Sequence, residues 1–235
     1  MGSNRFEFKQ FTINQDGAAF KVGTDGALLG SYADISGVKH ILDIGAGTGL
    51  ITLMLAQRSN AKIVAIEPDH DSFVCMCQNF DNSPWSGRIE AIETTFQEMK
   101  YQDKFDLIVT NPPYFSNSLK NPDIVKSKTR HNDALSPADI LKGVGNLLGE
   151  NGKLQLILPY VEGNLFVAEA AEYGLYCADI LKIKSLPTSE IKRLILTFGK
   201  EKVKPAEKFL TINSGKRHEF TEGYVELVKD FYLKF

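Results

Sequence analysis

The 235-residue sequence lacks any apolar run that approaches the roughly 20 residues needed to cross a bilayer. Its first residues, MGSNRFEFKQF, lack the apolar core and the small-residue cleavage site of a secretory signal. Cysteine is scarce, and two of the three cysteines, Cys75 and Cys77, would point to different sides of one helix, which is poor geometry for a metal. These absences predict a cytoplasmic protein with no membrane association and no bound metal.

The sequence also lacks a strong net charge, which is −2 overall. This average hides an asymmetry, because the chain from Lys182 onward holds 12 Lys and Arg against 7 Asp and Glu, and the part before it holds 15 against 22. A basic last third suits a protein that touches a polyanion with one end only. Solvated lysines on edge strands would give the same pattern, so both interpretations stay open.

Strand-like and helix-like patterns alternate from Lys39 to about Gly199. Strands are expected at His40–Asp43, Lys62–Ile66, Ile89–Ile92, Phe105–Val109, Lys153–Leu158, Ala178–Ile183 and Arg193–Phe198. Helices are expected at Leu50–Arg58, Asp69–Phe80, Asn164–Tyr173 and from Pro137, behind the cap Ser136. The alternation predicts an α/β fold with a doubly wound, mostly parallel sheet. Because no helix separates the last two strands, we expect an antiparallel edge.

Two extensions flank this core, and we expect one domain in three parts: residues 1–37, 38–200 and 201–235. The first part is predicted to form a hairpin over Phe6–Val22, with its turn at Asn14–Gly17, and then a helix capped by Thr24 or Asp25. The last part is predicted to hold a strand at Phe209–Ile212 and a helix at Thr221–Tyr232.

A glycine-rich turn follows the first core strand. Asp43 precedes three glycines, Gly45, Gly47 and Gly49, at a point where backbone amides and a helix N-terminus can receive a ligand. The dinucleotide-binding motif requires glycine at position 50, which is leucine here. The pattern instead resembles the first motif of class I methyltransferases. That resemblance implies a Rossmann-like fold and the donor S-adenosyl-L-methionine, which leaves as S-adenosyl-L-homocysteine; a tight turn without a ligand is the alternative.

The two following strands supply further candidates for the donor site. Glu67 ends the second strand and is followed by Pro68, and a carboxylate there can accept both ribose hydroxyls. After the third strand, the class I enzymes that this sequence resembles often carry an acid for the adenine amino group. Here that place holds Thr95, whose hydroxyl can accept one hydrogen bond, and the amide of Phe96 can supply another contact. This departure leaves the adenine contact open.

The segment Asn111-Pro112-Pro113-Tyr114 follows the fourth strand, at the edge where α/β sheets bind ligands. An amino nitrogen on an aromatic ring or amide is a poor nucleophile because its lone pair is delocalised. The Asn111 side chain and the Pro112 carbonyl can accept its two hydrogens, and the prolines fix that geometry. Tyr114 offers a face on which an extruded base can stack. The candidate acceptors are adenine N6, guanine N2, cytosine N4 and a glutamine amide; a rigid surface turn is the alternative without chemistry.

The segments FKQF, KVGTDG and LLG before the core, together with DIGAGTG, AIEPD, FDLIVTNPPY and Arg130-His131, resemble the tRNA1(Val) (adenine-37-N6)-methyltransferase family. The resemblance covers the chain to about Ser136 and is looser beyond it. It implies that Lys21, Thr24 and Asp25 close over the methionine end of the donor. It also implies a tRNA substrate. Four residues in the long segment after the Asn-Pro-Pro-Tyr turn would then contact its phosphates, unless they are simply solvated: Lys126, Lys128, Arg130 and His131.

Three other functions stay open from the sequence. A glutamine N5-methyltransferase acting on a release factor uses the same Asn-Pro-Pro-Tyr turn. The 38 residues before the pattern of strands and helices starts at Lys39 leave no space for the helical domain of those enzymes. Guanine N2 methylation of ribosomal RNA is the second rival. A catalytically silent nucleotide- or RNA-binding module is the third, which intact Gly45, Glu67 and Asn111 disfavour. Nothing in the sequence implies an obligate protein partner.

Overall fold

A computed structural model describes residues 4–113, 135–216 and 219–235 of the chain. The strands are β1 (Arg5–Glu7), β2 (Thr12–Asn14), β3 (His40–Ile44), β4 (Lys62–Glu67), β5 (Ile89–Glu93), β6 (Phe105–Thr110), β7 (Leu148–Pro159), β8 (Tyr176–Lys184), β9 (Ile191–Gly199) and β10 (Ala206–Thr211). The helices are α1 (Thr24–Tyr32), α2 (Leu50–Arg58), α3 (His70–Asp81), α4 (Pro137–Leu147), α5 (Tyr160–Ala170) and α6 (Glu222–Val228). Two short 3₁₀ turns lie at Ser86–Arg88 and Ala171–Tyr173.

Eight of these strands form one sheet in the order β10-β8-β9-β7-β6-β3-β4-β5. All neighbouring pairs are parallel except those that β9 makes with β7 and β8. Strand β9 runs the other way because only residues 185–190 join it to β8, which is too short for a crossover. The predicted α/β fold with a mostly parallel sheet is confirmed. The antiparallel strand lies inside the sheet, however, since β10 pairs parallel to β8 and forms the outer edge.

Helices cover both faces of the sheet, and the two faces bury separate apolar clusters. On one face, α1, α2 and α6 pack through residues such as Leu28, Leu55 and Val228. On the other face, α4 and α5 pack through residues such as Val144 and Phe166. The central strands are buried on both sides, as expected of parallel strands between two helical layers. None of the helices within the described ranges is long and apolar enough to cross a membrane.

The N-terminal hairpin is present, but its turn is not the predicted one. Strand β1 pairs antiparallel with β2, so the chain reverses at Phe8–Phe11. The rings of Phe8 and Phe11 stack with centroids 4.7 Å apart, and the Phe8 amide donates to the Phe11 carbonyl. The predicted turn at Asn14–Gly17 follows the second strand, where Gly17 has a φ of +79° and leads the chain toward α1. The reversal is therefore closed by a backbone hydrogen bond and packed by two buried, stacked rings.

Two helices begin away from their predicted starts. Helix α5 starts directly after Pro159, one turn before the predicted Asn164, because Pro159 occupies the N-cap position. Helix α1 has Gly23 at its N-cap, so neither Thr24 nor Asp25 caps it.

The last helix is shorter than predicted. Helix α6 begins behind Thr221, whose hydroxyl accepts from the Tyr224 amide, and it ends at Val228. The residues after it turn back, and Tyr232 forms an isolated antiparallel bridge with Phe8 of the N-terminal hairpin. The end of the chain is therefore packed against its beginning.

Candidate active site

The glycine turn between β3 and α2 contains three residues in the left-handed region. Gly45, Gly47 and Gly49 have φ angles of +70°, +58° and +80°, which residues other than glycine rarely adopt. A Cβ at Gly45 or Gly47 would meet no atom of the described residues within 4 Å, whereas a Cβ at Gly49 would lie 2.4 Å from the Phe80 ring. The first two glycines therefore face open space, and the third allows α2 and α3 to pack closely.

The backbone amides of this turn have partners within the protein. The amides of Gly45 and Ala46 both donate to the Ile66 carbonyl at 3.0 Å, and the Gly47 amide donates to Glu67 Oε2 at 2.8 Å. These three amides fix the turn against the end of β4, and the Gly47 amide holds the carboxylate of Glu67, the predicted ribose-binding residue. That the other amides of the turn and the start of α2 receive a ligand stays a prediction.

Glu67 is 8% exposed at the carboxyl end of β4. Its Oε1 accepts from the Asp69 amide at 3.0 Å, so both oxygens are held by backbone donors. Burial raises the pKa of the Glu67 carboxyl, and the two amides oppose this rise by stabilising its charge. A carboxylate offers about four acceptor sites, and two are used here. The remainder can accept hydroxyl groups, while Pro68 beside it is exposed.

Asp43 is fully buried at the end of β3. Its Oδ2 accepts from the Thr52 hydroxyl of α2 at 2.7 Å, and its Oδ1 has no hydrogen-bond partner among the described residues. Burial raises the pKa of Asp43 to about 7, and the nearby charge of Glu67 adds to the rise. An orphaned acceptor under a turn whose glycines leave open space fits a ligand that carries donor groups, as S-adenosyl-L-methionine does.

The Asn111-Pro112-Pro113 turn begins where β6 ends, next to β3 in the sheet. The buried hydroxyl of Thr110 donates to the Ile44 carbonyl at 2.9 Å and so ties the start of this turn to the start of the glycine turn. Asn111 is half-buried, Pro112 is buried and Pro113 is exposed. The structure thus brings the predicted reactive turn and the predicted donor turn side by side, although the two are more than 60 residues apart in the chain.

The first turn of α1 lies against both turns. A Cβ at the buried Gly26 would lie 4.0 Å from Asn111 Nδ2 and 3.2 Å from Leu50 Cδ2 of α2. Asp25, just before it, accepts a hydrogen bond from Arg193 Nε at 2.8 Å. Lys21 and Thr24, the other predicted donor-binding residues of this segment, are exposed.

Thr95 and Phe96 follow β5 at the same edge, but their side chains have partners of their own. The Thr95 hydroxyl donates to Glu98 Oε2 at 3.0 Å and accepts from the Glu98 amide. The Phe96 ring is buried against α4, where a Cβ at Gly143 would lie 2.4 Å from it. A contact to the donor's adenine from these two residues stays a prediction, and the Phe96 side chain is committed to the core.

Several predicted residues lie outside the described residues: Tyr114, Lys126, Lys128, Arg130 and His131. Within the described ranges, no group of three or more His, Cys, Asp or Glu side chains could hold a metal ion. Cys75 is buried and lies 3.1 Å from the Asn14 carbonyl, which accepts from its thiol.

Asn79, a buried residue of α3, makes contacts that the sequence does not predict. Its amide nitrogen donates to the carbonyls of Asn14 and Thr48, both at 2.9 Å, and its oxygen accepts from the Asn14 amide at 2.8 Å. One side chain therefore joins the end of the N-terminal hairpin to the glycine turn. The only sequence signal was a polar residue on the apolar face of a predicted helix.

Comparison with known proteins agrees with this geometry. The family model named Methyltransferase small domain matches residues 21–159. Proteins named tRNA1(Val) (adenine(37)-N6)-methyltransferase from Trichodesmium erythraeum and Bacteroides thetaiotaomicron are 43% and 42% identical to the chain, over 100% and 99% of both chains. The chain belongs to this family. It is an S-adenosylmethionine-dependent methyltransferase, as its glycine turn and its Asn-Pro-Pro turn predict.

A solved structure of similar fold is a predicted O-methyltransferase from Agrobacterium tumefaciens. It superposes with a TM-score of 0.65 and 22% identity, covering 88% of this chain and 96% of the other. At this identity the likeness concerns the fold alone.

We predict that Asp43 makes the stability of this methyltransferase depend on pH. Its pKa is about 7 when folded and about 4 when unfolded. The contribution of Asp43 to stability is therefore fully present below about pH 4 and is lost as the pH rises through about 7. In the Asp43→Asn variant the amide that replaces the carboxyl cannot titrate. The difference in the free energy of unfolding, variant minus wild type, should therefore rise by up to about 4 kcal/mol as the pH increases from about 4 to about 7.

Urea denaturation of both proteins across this pH range measures the difference. A difference that stays constant with pH would mean that Asp43 is ionised in the folded protein throughout, and would contradict the assignment.

Proposed function

We propose that this methyltransferase transfers the methyl group of S-adenosyl-L-methionine to N6 of adenine 37 in tRNA1(Val). One observation carries the proposal: the Asn111-Pro112-Pro113 turn lies beside the glycine turn of β3 in a chain that is 43% identical, over its full length, to a protein named for that reaction. The basic last third of the chain is compatible with an RNA substrate.

The acceptor side of the reaction needs two hydrogen-bond acceptors and no preceding deprotonation. Asn111 Oδ1 and the Pro112 carbonyl would accept the two N–H groups of the adenine amino group, which favours a tetrahedral nitrogen with an available lone pair. The ring of the buried Pro112 fixes its φ and the following Pro113 restricts its ψ, so the Pro112 carbonyl is already oriented before the base arrives. Acceptors that are fixed in advance need little reorganisation during reaction.

The donor side would be held by the ends of β3 and β4. S-adenosyl-L-methionine supplies an electrophilic methyl group on a sulfonium centre. The Glu67 carboxylate, fixed by the Gly47 and Asp69 amides, would accept the ribose hydroxyls. Gly45 and Gly47 leave the space in which the ligand lies against the backbone, and the Asp43 oxygen that has no partner among the described residues favours a donor-bearing group.

The substrate is tested by nucleoside analysis. The protein is incubated with labelled donor and unmodified tRNA1(Val), and the RNA is then digested to nucleosides. We expect label in N6-methyladenosine, and no label when adenine 37 is replaced by guanine. Label in N2-methylguanosine, or label in protein only, would contradict the proposal.

We predict that Asn111→Ala lowers turnover by about 10²–10³-fold, the usual cost of removing one preorganised hydrogen-bonding group from an active site. Donor affinity should change little, because Asn111 contacts the acceptor. Steady-state methylation and calorimetric titration with the donor measure the two quantities. Asn151→Ala, at an exposed position in β7, is the matched control and should leave both unchanged. A large loss of donor affinity in Asn111→Ala would contradict the assigned role.

A further inference from the structure

One ion pair joins the N-terminal extension to the C-terminal half of the sheet. Arg193 Nε of β9 donates to Asp25 Oδ2 of α1 at 2.8 Å, across 168 residues of chain. The two side chains are only 28% and 21% exposed, so solvent screens the pair less than a surface pair. Arg193 Nη1 also donates to the Lys192 carbonyl, which restricts the orientation of the guanidinium group.

The pair lies at the edge of the sheet where the candidate site is. Arg193 pairs in register with Pro159, the last residue of β7, and β7 is the neighbour of β6. Arg193 is therefore two strands away from the strand that leads into Asn111, a separation of about 10 Å at the usual strand spacing. It lies near the start of the antiparallel strand, so its side chain reaches this edge only because β9 runs opposite to its neighbours.

The residue after Asp25 connects the pair to the reacting groups. Gly26 is buried between Leu50, the first residue of α2, and Asn111. Leu50 itself follows the last glycine of the donor turn. A shift of the first turn of α1 would therefore change the space at the donor turn and the support of Asn111 at the same time.

Two hydrogen bonds hold the segment that leads into this turn, and the first runs from the Ala19 amide to the Ser72 hydroxyl of α3 at 3.1 Å. The buried Gln15 accepts from the Val22 amide at 2.7 Å and so fixes the chain three residues before Asp25. Gly23, the N-cap of α1, lies between Val22 and Asp25 and has no side chain that could cap the helix. Phe20, which precedes Val22, is 70% exposed. An acidic residue in the first turn of α1 also interacts favourably with the helix dipole.

We propose that Arg193 is a positioning residue that, through Asp25, holds the first turn of α1 against Leu50 and Asn111. The effect of Arg193 on Asn111, the acceptor side, rests on the proposed function. The effect of Arg193 on donor binding does not rest on it, because donor binding can be measured without RNA. In this proposal the ion pair links residues 21–26, the segment predicted to close over the donor, to β9.

The test is a double-mutant cycle on donor affinity. Arg193→Gln, Asp25→Asn and the double variant are titrated with S-adenosyl-L-methionine by calorimetry, after circular dichroism has shown that each is folded. We expect each single change to weaken donor binding about tenfold, and the double variant to be no weaker than either single one, since coupled residues are not additive. Arg193→Lys should restore part of the affinity, because it keeps the charge but loses the planar fork.

The matched control is Lys182→Gln, which breaks the Lys182–Glu207 pair of 2.6 Å between β8 and β10. It should leave donor affinity unchanged. Donor affinity in Arg193→Gln equal to that of the wild type would overturn the proposal. Additive effects in the double variant would also overturn it, because they would mean that Asp25 acts on the donor without Arg193. If the wild type does not methylate tRNA, that result counts against the proposed function. The double-mutant cycle still tests the role of Arg193 in donor binding, because it is measured without RNA.

Discussion

The candidate site depends on how the Glu67 carboxylate is held. One of its oxygens accepts from the Gly47 amide of the donor turn, and the other accepts from the Asp69 amide at the start of α3. Because both donors are backbone groups, the carboxylate stays at the end of β4 although its burial raises its pKa. The same hydrogen bond from Gly47 fixes the donor turn to the neighbouring strand. One side chain thus fixes the glycine turn and presents a carboxylate at the predicted donor site.

Around this interaction, two long-range ties join the N-terminal extension to the core at the same edge of the sheet. Asn79 of α3 joins the N-terminal hairpin to the glycine turn through the Asn14 and Thr48 carbonyls. Arg193 of β9 joins the start of α1 to the C-terminal half of the sheet through Asp25. Both ties are polar and largely shielded, so they fix a geometry that apolar packing alone would leave less specific.

The sequence predicts the central strands and the positions of both functional turns well, because buried parallel strands appear as continuous apolar runs that end in glycine or proline. The order of β9 and β10 in the sheet and the roles of Asn79 and Arg193 come from contacts between residues far apart in the chain, which no local pattern encodes. The reversal between β1 and β2 likewise brings Phe8 onto Phe11, and the chain bends again at Asp16 and Gly17. The glycine pattern marks the donor turn, but it does not specify that an amide of this turn holds Glu67.

The central claim is that the Glu67 carboxylate binds the donor, and calorimetric titration of Glu67→Gln with S-adenosyl-L-methionine tests it most directly. Glu93→Gln is the matched control, because Glu93 pairs with Glu67 in register on β5 and its carboxylate contacts the exposed His70. We predict that Glu67→Gln weakens donor binding by about tenfold or more, since a hydrogen bond to a charged group is worth about 1.5–3 kcal/mol. Glu93→Gln should bind as the wild type does. Donor affinity in Glu67→Gln equal to that of the wild type would contradict the account.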